Sequence, residues 1–363
     1  MKERGDSTAL ALARDLLIIP REAGSESAKQ ARDLVAGFLE NLGYTVEVQR
    51  FSFSTAGLLA LPLFGAGLGW LTLLEIPLLT MAGTPPWSAS LVWVLGMLAV
   101  ATLSVGLGLG WTSLGGQMRE DANLVATRGP VIRRWIVAHL DTKAQRHSMA
   151  GRLVSVWISA LATIVMTVLV LVRLGNVLPL SATAGAAALA IVAGFLANRG
   201  RLSGVSHGAR DNGTGLLAAL TAAQNISDPA VGILVTGAEE FGLIGARYFA
   251  QQSRDRVAGS EVINFDTIDD QGDWRVVVHD DRAMSLADSA ASHLESTTVP
   301  VRRHRLPAGI FVDSLPLARA GAVAVTIARL DWGTLRKIHT PGDTLAGLTL
   351  ESAVRAGRAI CDL

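Results

Sequence analysis

Five short polar motifs hold the residues that could do chemistry in this 363-residue chain. His139 and Asp141 stand two apart in AHLDT, closing a predicted strand, where alternation puts both side chains on the same side. A metal-bound imidazole normally gives its second ring nitrogen to a carboxylate, and Asp141 is well placed to influence that geometry. Asp211 lies in the polar, glycine-rich turn GARDNGTG, and Glu239 and Glu240 are adjacent in TGAEEFGLIGA after an apolar strand. Asp266 closes the strand of INFDT, and His339 sits in the polar turn KIHTPGDT. Taken singly, each motif has a plain structural explanation, such as a capped loop, an Asx turn or an acidic helix start. Two neighbouring carboxylates at a strand's end are nevertheless costly unless a cation satisfies them, and a metal with a water to deprotonate would do so. Taken together, the motifs supply two histidines and three carboxylates, a ligand set suited to zinc, and one further glutamate as a general base.

Strands alternating with helices must position these residues. YTVEVQRFSF, NLVATRG, RRWIVAHLD, VGILVTGA and EVINFD read as strands, while residues 6–42 hold two helical patterns and LLAALTAAQNI another. This order predicts an α/β fold whose sheet is mostly parallel and covered by helices. Between the strands lie four apolar segments near 57–80, 88–111, 153–173 and 177–198, each long enough to cross a bilayer. Short turns join them in pairs, so they are expected to form two transmembrane hairpins inserted into one discontinuous domain. The predicted domain comprises 1–55, 112–150 and 199–363, with hairpins at 56–111 and 151–198. Glu75, the one acidic residue inside these segments, lies toward the end of its own and is expected at the interface.

Arg50, Arg119, Lys143, Arg146, Arg152, Arg199 and Arg201 flank the hairpins on the domain side, and only Arg173 edges an outer turn, which predicts a cytoplasmic domain. The segment MKERGDSTALALARD carries charges throughout and does not read as a cleavable secretory signal. Half the residues are hydrophobic and 17% are charged, below the roughly 25% of soluble domains. A net charge of +1 gives no sign of nucleic-acid capture, and the single cysteine, Cys361, excludes an internal disulfide or a Cys-rich metal site.

The order H-x-D, D-N-x-x-G, E-E-x-G-L-x-G, N-x-D and H-T-x-x-D-T resembles that of the M28 aminopeptidases, and the similarity takes in nearly all of the chain outside the hairpins. It implies a phosphorylase/hydrolase-like α/β/α sandwich with two co-catalytic zinc ions. It further implies that His139, Asp211, Glu240, Asp266 and His339 are metal ligands, with Asp211 bridging. Asp141 would then be the acid beside the first histidine and Glu239 the general base. Asp313, in GIFVDSLPLARAGAVAVTI, matches the family's aspartate loop and is the candidate for substrate contact, although Ser314 stands where an aromatic or histidine is frequent. His139 and Asp211 lie farther apart than in soluble relatives, and the second hairpin fills the excess. The expected reaction is removal of amino-terminal residues from a peptide, in the setting of a membrane-associated substrate and a lipid bilayer. A single-zinc glutaminyl cyclase and a non-catalytic membrane receptor or scaffold are the alternatives.

Overall fold

The computed structural model describes residues 2–295, 299–307 and 309–363. The chain opens with α1 (Lys2–Leu16), α2 (Glu26–Asn41) and β1 (Thr45–Ser54), followed by the long helices α3 (Ala60–Thr80) and α4 (Pro86–Gly108). Strands β2 (Met118–Thr127) and β3 (Arg134–His139) precede a second long pair, α5 (Met149–Arg173) and α6 (Leu180–Asn198). Then come α7 (Gly215–Asn225), β4 (Val231–Thr236), α8 (Ile244–Gln252), α9 (Arg254–Val257), β5 (Glu261–Ile268) and β6 (Asp273–Val278). The chain continues through α10 (Met284–Leu294), β7 (Val301–Arg305), α11 (Ser314–Arg319), β8 (Val323–Leu330), α12 (Trp332–Lys337) and α13 (Glu351–Ala359).

Two compact units result. The first joins Met1–Phe53, Met118–Ala144 and Gly204–Leu363. Its eight-stranded sheet has the order β1-β2-β4-β3-β5-β8-β6-β7. The central strands β4, β3, β5 and β8 run parallel, while β2 and β6 pair antiparallel with β4 and β8. Strand alternation splits the core into two layers. Ile136 and Ala138 of β3 face a cluster with Leu16, Val35, Leu217, Leu286 and Ala353, while Trp135 and Val137 face one with Phe249, Val257 and Leu317. Helices therefore cover both faces, the three-layer arrangement that parallel strands buried on both sides require. The sheet departs from the sequence reading at β6 and β7, which no predicted strand anticipated.

The second unit joins Ser54–Gln117 and Gln145–Ser203. Its four helices, of 21, 23, 25 and 19 residues, are long and apolar enough to cross a membrane. Small residues let α3 and α6 pack closely: a Cβ on Gly194 would lie 2.8 Å from the Gly65 carbonyl oxygen, an approach of the small-xxx-small kind. Arg173 is buried and ties the two turns together, donating to the carbonyls of Leu78 at 2.9 Å and Thr84 at 2.8 Å. Those are C-terminal and post-helical carbonyls of α3 that its own helix leaves unpaired. Glu75 lies toward the C-terminal end of α3. It is fully buried among the helices, and neither carboxylate oxygen has a partner among the described residues.

Candidate metal centre

The candidate residues converge at the carboxyl ends of the central parallel strands, where open α/β sheets place their ligand sites. His139 ends β3, Glu239 and Glu240 follow β4 in the short turn Glu239–Phe241, and Asp266 stands near the end of β5. Asp211 and His339 arrive from loops before α7 and after α12. The site's centre is Asp211. Its Oδ1 lies 3.2 Å from His139 Nε2, and its Oδ2 lies 3.1 Å from His339 Nε2. Glu240 Oε2 is 3.2 Å from the same His339 nitrogen, and Asp266 Oδ1 is 3.9 Å from His139 Nε2. Two three-residue groups thus share one carboxylate: His139, Asp211 and Asp266, and Asp211, Glu240 and His339. Glu239 belongs to neither, with Oε2 3.9 Å from His139 Nε2.

Local sequence explains how these side chains are held. Asn212 accepts from the Gly215 and Thr267 amides at 3.1 and 3.2 Å and donates to the Phe265 carbonyl at 2.8 Å, fixing the Asp211 loop to the end of β5. Gly215 must lack a side chain, because a Cβ would strike Asn212 and come within 2.7 Å of the Phe265 carbonyl. Asp343 accepts from the Arg210 and Asp211 amides at 2.8 and 3.1 Å, so the last motif orients Asp211 as well as supplying His339. Arg21 is fully buried and donates to the Leu140 carbonyl at 2.9 Å and to the Gly208 carbonyl at 3.0 Å, joining the ends of two ligand-bearing segments. Three non-glycine residues beside the site, Ala238, Thr267 and His339, have positive φ, a conformation costing about 1–3 kcal/mol each that persists only where surrounding contacts impose it.

The structure places Asp141 and Asp313 as follows. The carboxylate of Asp141 accepts from the amides of Glu239 and Glu240 at 3.0 and 3.1 Å, while His139 Nδ1 meets the Asp141 backbone carbonyl at 3.1 Å. Asp141 thus orients the paired glutamates directly, and its carboxylate is 3.7 Å from the imidazole. Asp313, expected to contact substrate, is fully buried and accepts from the Thr236 hydroxyl through Oδ2, leaving Oδ1 without a partner among the described residues. Asp343, Arg21 and Lys143 carry roles that the sequence reading did not assign. Lys143 Nζ lies 2.6 Å from Glu240 Oε2. The remaining histidines, His147, His207, His279, His293 and His304, belong to neither group.

The donor set fits zinc. It consists of imidazole nitrogens and carboxylate oxygens, its carboxylates outnumber the neighbouring cations, and Glu240 Oε1 has no partner among the described residues. The metal-free electrostatics reflect that excess. Burial opposes charge on His139, but Glu239, Asp211 and Asp266 outweigh it and raise its pKa well above the ordinary histidine range. Burial, with help from Asp211 and Asp313, pushes Asp266 up to about 7. Burial also pushes Asp141 up to about 7 and Glu239 well above the usual carboxylate range, the latter with help from Glu240. Asp211 goes the other way: burial disfavours its charge, but hydrogen bonds to both histidines hold its pKa below the usual range. Ligands that hold protons near neutrality must shed them to bind a metal. Zinc binding to the metal-free protein should therefore release protons and tighten as pH rises from about 6 to about 8. Calorimetry in buffers of different ionisation heat measures this directly, and an affinity independent of pH would contradict it.

A shared carboxylate, two histidines and a free glutamate at the ends of parallel strands define a metallohydrolase-type centre. Residues 189–363 match the family model of peptidase family M28. No curated protein sequence matches it. Among solved structures, a zinc aminopeptidase from Bacillus subtilis superimposes with a TM-score of 0.58 at 15% identity, covering 99% of this chain and 94% of that one. A Zn-dependent exopeptidase from Parabacteroides distasonis gives 0.58 at 12% identity, with coverages of 98% and 96%. The glutaminyl cyclase of Fimbriiglobus ruber gives 0.54 at 14% identity, with coverages of 99% and 93%. At these identities the likeness is one of fold.

Proposed function

We propose that this chain is a membrane-embedded zinc exopeptidase with two metal positions, acting as an aminopeptidase. The observation that carries the reading is Asp211, whose two oxygens face histidines of different groups at 3.2 and 3.1 Å. His139, Asp211 and Asp266 would hold one ion, and Asp211, Glu240 and His339 the other. When bound, zinc supplies Lewis acidity toward the scissile carbonyl and toward water. Glu239, outside both groups, accepts the proton of the attacking water and returns it to the leaving amine. Asp141 keeps Glu239 and Glu240 aimed at the site through their amides, and Arg21, Asn212 and Asp343 hold the loops that bear the ligands.

The membrane part of the reading rests on surface chemistry. Trp70, Leu74, Leu98, Trp157, Ile164 and Phe195 are all strongly exposed on the second unit. An apolar surface of this extent is a liability in water, and a bilayer is the solvent that suits it. Basic residues flanking the helices favour a cytoplasmic catalytic unit. Glutaminyl cyclase chemistry on one zinc is the second reading, favoured by the ammonium of Lys143 beside Glu240. Metal analysis of the purified protein, alongside a panel of free, N-acetylated and amino-terminal glutaminyl peptides, separates the two. Two zinc ions per chain with hydrolysis confined to free amino termini is the expected result. One zinc with cyclisation of the glutaminyl peptide would replace it.

A further inference from the structure

Lys143 brings a fixed positive charge to only one of the two metal positions. Its ammonium meets Glu240 Oε2 at 2.6 Å and the Glu240 carbonyl at 3.4 Å, and the side chains of the pair are 3% and 4% exposed. Glu240 Oε2 is also the oxygen that approaches His339 Nε2, at 3.2 Å, so the ammonium occupies the donor atom that would face a metal held by His339. Around His139 the charges are Asp141, Asp211, Asp266 and the nearby Glu239, with no lysine or arginine paired to the imidazole among the described residues. Around His339 they are Asp211 and Glu240, partly cancelled by Lys143. Between desolvated groups such a difference is little screened by salt.

We propose that Lys143 makes the Asp211–Glu240–His339 group the weaker of the two metal positions, so that the protein loads stepwise through a state with one metal, held by His139, Asp211 and Asp266. This rests on the two-metal reading above and deepens it. Lys143 is a positioning residue: it fixes Glu240 and sets the charge that an incoming cation meets. The ordering makes the second position the exchangeable one, filled or emptied by the free zinc concentration while the first stays occupied.

The test is a zinc titration, followed by calorimetry, of the metal-stripped full-length protein in detergent, for wild type, Lys143→Met and Lys143→Arg. Wild type should bind in two steps. Lys143→Met should tighten the weaker step by about tenfold, the lower end of what outer residues of a metal site contribute, while Lys143→Arg keeps the gap. Cobalt spectra identify the step: one equivalent on wild type should reproduce the spectrum of saturated His339→Ala, not that of His139→Ala. Two steps of equal affinity in wild type, or a gap that survives in Lys143→Met, would overturn the proposal alone. Saturation at one zinc in both wild type and Lys143→Met would overturn the two-metal reading beneath it.

Discussion

Glu239→Gln should retain the zinc content of the wild type while losing peptide hydrolysis by about 10²–10⁴-fold, the usual contribution of a positioned acid or base. Geometry separates this residue from its neighbour. Glu240 lies in a ligand group with Asp211 and His339, whereas Glu239 stands outside both groups, 3.9 Å from the His139 imidazole. Its backbone amide is held by Asp141 at 3.0 Å, so the substitution leaves the turn intact and replaces only the proton-accepting oxygen. Burial together with Glu240 raises the pKa of its carboxyl, the direction that suits a group passing a proton near neutrality. Metal analysis beside a peptide assay reads both quantities. Loss of zinc together with activity would make Glu239 a ligand and displace it from the proposed role.

Asp211→Asn should have the broadest effect on metal binding, because it alters both groups at once. Its two oxygens face two histidines, and the substitution removes the one negative charge that the groups share. The variant should bind zinc at either position at least about 100-fold more weakly, a loss that even outer-shell changes can reach. Asp266→Asn and Glu240→Gln each touch a single group and should weaken one position only. Zinc retained after dialysis distinguishes them. A variant of Asp211 that keeps one ion tightly bound would show that the carboxylate is not shared.

The candidate ligands stand out in sequence because parallel strands end in short polar motifs whose residue types announce themselves. His139, Glu240 and Asp266 each follow an apolar run, and the motif spacing carried the rest. Of the two strands that escaped, the edge strand β7 did so for a physical reason. Val301–Arg305 reads VRRHR, has no buried residue and takes its conformation from its partner β6, so hydrophobic alternation has nothing to report. β6 did carry a usable signal in its DWRVVV, whose tryptophan and valines are buried. Lys143 was invisible as a site residue because its partner Glu240 is far away in sequence and meets it only when β3 and β4 pair. Arg21 is similar: a single arginine in a loop whose guanidinium reaches, besides the nearby Leu16 carbonyl, backbone carbonyls of two distant segments at Leu140 and His207. The burial of Glu75 was not legible because position along a helix does not tell which way the side chain faces once other helices surround it.

The strand order has a consequence for how the protein is made. β3 bears His139, yet both of its sheet neighbours, β4 and β5, are encoded after the second pair of long helices. A ribosome adding about 5–20 residues per second therefore exposes Trp135, Ile136 and Val137 for several seconds before any partner strand exists. During that interval the helices α5 and α6 are the next segments to emerge, while the sheet is still open. Synthesis is thus ordered by the gene itself: the candidate ligands cannot assemble until every long apolar helix has been synthesised.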